Sequence, residues 1–164
     1  MDDQQLEKLY RDNFQKVYNY VYYRLLDATQ AEDVTSAVFM KAVANFDKFD
    51  ATRASFSTWI LRIAHNTLVD YFRTRKPSAP LETLGADEPS SEDDYPVLDE
   101  HQAQVAQLLS LLSEEDRELV FLKYYEDKRN VEIAQILDMN PATVATRLRR
   151  ALLTMRTHAK EEDR

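Results

Sequence analysis

The stretch Asp138-Met139-Asn140-Pro141 constrains this chain more than any other. Before it, Ile133, Ala134, Ile136 and Leu137 recur at helical spacing; after it, Val144, Leu148, Ala151, Leu152 and Met155 do the same. Asn is a favoured N-cap because its side-chain oxygen accepts an orphan backbone N–H. Pro at the first helical position loses a donor that had no partner. The pattern predicts two short-linked helices rather than one continuous helix, a helix-turn-helix with Asp138-Met139-Asn140 as the turn. The remaining faces of the second helix carry Thr143, Thr146, Arg147, Arg149, Arg150 and Arg156, and no acid lies between Asp138 and Glu161. An ordinary helical hairpin with a solvated basic face has the same apolar pattern. The cap, the turn length and the one-sided charge favour a helix built to enter DNA.

Gly occurs once and Pro five times in 164 residues, and no stretch sustains period-two alternation, so an all-α fold is expected. The absence of Cys excludes disulfides and thiolate metal sites. No apolar run approaches a membrane span, and the acidic start MDDQQ does not read as a signal peptide, so a cytoplasmic location is expected, without membrane insertion. The formal net charge of −8 is the wrong sign for a polyanion binder until it is located. Glu82, Asp87, Glu88, Glu92, Asp93, Asp94, Asp99 and Glu100 fall within 77–101, where no Lys or Arg occurs, and account for the whole excess. Residues 62–76 sum to +3 and residues 142–160 to +5. Charge is thus segregated into two basic surfaces and an acidic spacer, which is expected to shield them by screened attraction.

Residues 4–26 predict a Tyr-rich helix whose inward stripe is Leu6, Leu9, Tyr10, Phe14, Val17, Tyr18, Val21 and Leu25. In a second helix, 30–46, Ala31, Val34, Val38, Ala42 and Phe46 point inward. Its opposite side holds Asp33, Ser36, Ala37, Met40 and Ala44, small and partly apolar where a solvated face would be charged. Either a partner docks there or another helix of the same domain covers it. A loop at 47–55 leads to a third helix, 56–75, capped by Ser55, with Phe56, Ile60, Ile63, Ala64, Leu68, Tyr71 and Phe72 apolar. Arg62, Asn66, Asp70 and Arg73 line one polar stripe. Trp59 reads as core and His65 as a surface or phosphate-facing residue, since it lacks partners at metal-ligand spacing. Residues 77–98 contain four of the five prolines and the only Gly, the composition of a flexible linker. Helices at 99–112 and at 113–126, the latter capped by Ser113, precede the helix-turn-helix. The organisation expected is two small helical domains, 1–76 and 99–164, joined by the acidic linker 77–98.

In that order, AEDVTSAVFMKA (31–42), FSTWILRIAHNTLVDYFRTRKP (56–77), LSEEDRELVFLKYYED (112–127) and VEIAQILDMNPATVATRLRRAL (131–152) resemble the two-domain sigma factors of the extracytoplasmic-function type. The resemblance covers nearly the whole chain outside the linker. It implies a protein that recruits the RNA polymerase core and catalyses no reaction itself; three scattered histidines and no Gly-rich loop likewise offer no enzyme site, metal or cofactor. It implies that Asp33, Ser36, Ala37 and Met40 dock on the clamp of the largest polymerase subunit, and that the second domain meets the flap of the second subunit. By the same resemblance Arg62, His65, Asn66, Arg73, Arg75 and Lys76 hold the −10 strand, with the 47–55 loop as a pocket for an extruded base. Thr143, Thr146, Arg147, Arg149, Arg150 and Arg156 would bind −35, with Thr143, Thr146 and Arg147 nearest the base edges. An anti-sigma factor is a further implied partner. The chain departs from the family pattern at Ser36 and Ala37 (usually Gln and Glu), His65 (usually Arg), Asp138 (usually Gly) and Ala145 (usually Lys). These departures keep two alternatives open: a sigma-like mimic that only occupies an anti-sigma factor, and a plain helix-turn-helix regulator.

Overall fold

A computed structural model describes residues 2–74, 104 and 107–162. The linker 77–98, the boundary at Lys76 and the residues Arg75 and Lys76 lie outside the described residues. The chain divides into two compact units, Met1–Tyr95 and Pro96–Arg164. All regular structure among the described residues is helical, and no helix there is long and apolar enough to cross a membrane.

The first unit is a three-helix bundle of α1 (Asp3–Leu25), α2 (Ala28–Ala44) and α3 (Phe56–Thr74), each packing on the other two. A capping box opens α1: the Asp2 carboxylate accepts from the Gln5 N–H at 2.8 Å, and Gln5 Oε1 accepts from the Asp2 N–H at 3.4 Å. The helix stops at Leu26, which turns left-handed (φ 55°), and Asp27 immediately caps α2 through the Gln30 N–H at 3.0 Å. In α3 the expected Ser55 cap forms, its hydroxyl accepting from the Thr58 N–H at 3.2 Å. Val17, Val21, Ala31, Val38, Ile60, Leu61, Ala64 and Leu68 meet in a dry core. Each large apolar side chain in it contributes about 1.5–3 kcal/mol.

Three details depart from the sequence pattern. Tyr20, Tyr23 and Arg24 are buried beside the expected stripe, because α1 is enclosed over most of its circumference toward its C-terminal end. Tyr10, expected inward, is half exposed, near the other end. Phe46 leaves α2, which ends at Ala44, and enters a 3-10 turn, Phe46–Lys48. There it joins Phe49, Phe56 and Trp59 in a ring cluster with centroids 5.3–6.4 Å apart. Trp59 is therefore half buried among rings rather than fully in the core.

The second unit contains α4 (Glu114–Val120), α5 (Asn130–Leu137) and α6 (Pro141–Glu162). Ser113 caps α4 as expected, accepting from the Asp116 N–H at 3.2 Å, with Glu114, Glu115 and Asp116 in the first turn. The helix expected to run to residue 126 instead widens into a π-helical turn at Phe121–Tyr125, closed by Glu126 N–H to Phe121 O at 3.1 Å. Of the helix expected over 99–112, residues 104 and 107–112 are described; 104 and 107–109 are helical, and 110–112 form a turn and bend instead. Leu119, Leu122, Ile133, Ile136, Val144, Leu148 and Ala151 form the core, where α6 packs on both α4 and α5.

Candidate nucleic-acid and partner interfaces

The helix-turn-helix forms as the sequence predicts. Asp138 ends α5 in the left-handed region (φ 54°, ψ 54°), a conformation that a short polar residue tolerates at modest cost. Asn140 Oδ1 accepts from the Ala142 N–H at 2.9 Å, and the Asn140 carbonyl accepts from Val144 at 3.1 Å. At the front of α5, the Glu132 carboxylate accepts from both the backbone N–H and the Nε of Arg129, at 3.1 and 3.0 Å. The turn itself is held on one side by the Met139 N–H donating to the Ala134 carbonyl at 3.0 Å and on the other by the Asn140 cap.

Burial of Val144, Leu148 and Ala151 sets the roll of α6. Thr143, Thr146, Arg149, Arg150 and Arg156 consequently stand exposed, together with Ala142 and Leu153. Leu152 and Met155, expected inward, are half buried at the edge of the stripe. Arg147 departs furthest from expectation. It faces α4, with Nη2 2.8 Å from Glu115 Oε2 and 3.3 Å from Asp116 Oδ1, and its side chain is 26% exposed. The Glu115 carboxylate holds this guanidinium above its already high range. One turn along α4, Glu118 is buried, and burial pushes its carboxyl well above the ordinary 4.5 against the opposing pull of Arg147. The signal in the sequence was the acidic run Glu114–Asp116, whose role as a helix start concealed its role as a socket.

In the first unit the expected −10 residues separate. Arg62, Asn66 and Arg73 are exposed on one stripe of α3. Arg73 lies 3.6 Å from Asp70, which also receives Lys41 of α2 at 3.7 Å. His65 is half buried rather than on the surface, its Nδ1 3.5 Å from Arg24 Nη1, while the Arg24 guanidinium lies 5.3 Å from the Phe72 ring centroid. His65 sits four residues after Leu61 and three before Leu68, both fully buried, which turns this position toward the interior. The loop after the 3-10 turn is pinned by Asp50, which accepts from the Thr52 N–H at 2.9 Å and hydroxyl at 2.6 Å.

The semi-apolar face of α2 is open in this unit, and the structure divides it. Ser36 and Met40 border an apolar groove of about 740 Å³ between α1 and α2, lined also by Leu6, Tyr10, Val43 and the buried Phe39. Met40 is 74% exposed. Asp33 and Ala37 instead border a shallow notch against α3, with Lys41, Thr67 and Asp70. Sequence reasoning missed Leu6, Phe39 and Val43 as groove residues, because Leu6 belonged to the inward stripe of α1 and the latter two fall outside both faces assigned to the second helix.

Comparison with known proteins is consistent across both units. Residues 9–77 match the model of sigma-70 region 2, and residues 102–155 match that of sigma-70 region 4. The ECF RNA polymerase sigma factor SigW of Bacillus subtilis (strain 168) is 31% identical over 166 residues, covering 93% of this chain and 86% of its own. The RNA polymerase sigma factor YlaC of the same organism is 26% identical over 97% of this chain and 96% of its own. Among solved structures, the sigma factor RpoE in complex with the anti-sigma factor NepR from Bartonella quintana shares the fold at TM-score 0.76 and 19% identity, over 96% of this chain and 98% of that one. CnrH in complex with the cytosolic domain of CnrY matches at TM-score 0.70 and 21% identity, over 98% of this chain and 90% of that one. With a capped helix-turn-helix in its second unit and both family models matched in order, the chain belongs to the ECF sigma factors of the sigma-70 family.

Proposed function

We propose that this sigma factor divides promoter recognition and polymerase docking between its two units at the residues described above. The observation that carries the reading is α6: its apolar stripe is buried, and the opposite face shows Thr143, Thr146, Arg149, Arg150 and Arg156 to solvent behind a capped turn. Such a helix fits the major groove, with Thr143 and Thr146 near base edges and the arginines on phosphates. Arg62, Asn66 and Arg73 on α3 would hold the melted −10 strand, with His65 behind them and Arg75 and Lys76 extending the charge in sequence. Extruding a base into the pinned 49–55 loop would cost a few kcal/mol, offset by these contacts. The open face of α2, through Met40 and Ser36 in the groove and Asp33 and Ala37 beside it, would seat the polymerase core. The protein would act in the cytoplasm, without catalysing a reaction, and an anti-sigma factor, as named with one structural neighbour, would hold it inactive.

Transcription reconstituted from bacterial core polymerase, this chain and a promoter library tests the reading. Chain-dependent transcripts sharing −35 and −10 elements are expected. Duplex binding without transcripts would make the chain a plain helix-turn-helix regulator. Capture of an anti-sigma factor with neither activity would make it a mimic.

A further inference from the structure

Arg147 occupies the second turn of the recognition helix, yet its guanidinium is spent within the protein. Glu115 and Asp116 grip it across a sequence separation of 32 and 31 residues, tying the first turn of α4 to α6. Glu115 and Glu118 lie one turn apart on α4, so the same face presents a largely exposed carboxylate and a buried one to Arg147, with the half-buried Asp116 beside them. The planar fork of arginine fixes direction as well as distance, which a lysine at this place would not. Buried Val144, Leu148 and Ala151 set the overall roll of α6 along one stripe, and Arg147 adds a directional tie to α4 beside it. The ion pair acts off that stripe. Among the exposed arginines of α6, Arg149, Arg150 and Arg156 have no ion pair among the described residues, which sets Arg147 apart.

We propose that Arg147 is a positioning residue: through Glu115 and Asp116 it trims the roll that the apolar stripe sets, and so tunes which of Thr143, Thr146 and Arg150 reach base edges. The proposal rests on the −35 reading of α6 given above. In this arrangement Arg147 contributes to base preference without touching DNA, and the acids of α4 are specificity determinants at a distance from the groove. Loss of either partner lets the helix rotate and blurs the preference of its neighbours.

The test uses holoenzyme made from bacterial core polymerase and the full chain, selected on a promoter library randomised at −35, at temperatures where every variant is folded. Arg147→Gln and the pair Glu115→Gln with Asp116→Asn should flatten the same base preferences, each by about fivefold to tenfold in enrichment ratio. The reversed pair, Arg147→Glu with Glu115→Arg, should restore much of the preference. The slope of affinity against salt should stay unchanged in Arg147→Gln, since no phosphate contact is lost. A merely structural role would lower the thermal midpoint and leave the profile of the folded protein as it was. If the acid pair keeps the wild-type profile while Arg147→Gln flattens it and lowers the salt slope by about one, Arg147 reads DNA directly and the proposal falls. Unchanged profiles in every variant overturn it equally. Should Arg147→Gln fail to fold, the acid pair, whose groups lie nearer solvent, still decides. Wild-type holoenzyme that enriches no −35 sequence would instead overturn the functional reading on which the proposal rests.

Discussion

Glu118 is 4% exposed inside the second unit, and burial raises its carboxyl well above 4.5 while Arg147 opposes the rise. A carboxyl raised in the folded state keeps its proton where the unfolded chain has already lost one. Its contribution to stability is therefore fully present below the ordinary value and is lost as pH climbs through the folded value. Replacing it with the neutral isostere removes this loss. Glu118→Gln should match the wild type near pH 4 and exceed it at pH 8 by about 1–3 kcal/mol, the usual scale for an imperfectly compensated buried polar group. Urea unfolding at the two pH values measures this. Equal stability of the two proteins at pH 8 would mean that Arg147 fully compensates an ionised Glu118. At the same scale, the chain turns left-handed at Leu26, Asp127 and Asp138, none of them Gly. With a single Gly in the sequence, helix ends had to be made this way, and Asp138 alone was legible as such, because a turn was already required between two periodic segments.

Whole helices were legible where one face is buried and the other solvated. The buried centres of the stripes of α2, α5 and α6 follow the period of the sequence. In α3, Ile60, Ala64 and Leu68 do so, while the fully buried Leu61 lay outside the expected stripe. The caps Ser55, Ser113 and Asn140 mark three starts. Helices buried on more than one side were not. Tyr20 and Arg24 of α1 fall off any single stripe, and the π-helical turn at Phe121–Tyr125 has no sequence signature beyond the stacking of Phe121 on Tyr125 at 4.6 Å. The open face of α2 left a choice between docking and internal cover, and among the described residues no helix of the first unit covers Met40. A charge placed there meets solvent in the free protein and an apolar surface only in a complex. Met40→Glu should therefore abolish core polymerase binding, measured by co-elution, while moving the thermal midpoint by no more than about 1–2 °C, since exposed substitutions stay within about 0.5 kcal/mol. Unfolding together with loss of binding would assign the face to the interior. Retained binding would move the docking surface elsewhere.

Across the molecule, charge is the property that the sequence alone made legible and that bears on how the two units act together. The family match explains why basic surfaces recur in both halves, but it does not require the eight acids between 77 and 101. Those acids offset the net charge of 62–76 and 142–160, and the remaining residues leave the chain at −8, so its long-range field opposes a polyanion while its two basic segments attract one. Long-range repulsion of this kind is strong at low ionic strength and fades once the Debye length, about 8 Å at physiological salt, falls below the separation of the charges. Each exposed charge pair is worth at most about 1 kcal/mol, so the total effect is modest and must come from several acids acting together. Replacing Glu92, Asp93, Asp94, Asp99 and Glu100 by Gln or Asn should tighten binding of promoter duplex by the free protein at low salt, by about tenfold, with the gain shrinking steadily as salt rises. Holoenzyme, in which polymerase supplies most of the field around the promoter, should show a smaller gain. Fluorescence anisotropy across a salt series reads both. An affinity that does not change at low salt would reduce the acidic segment to a spacer whose charge serves solubility alone.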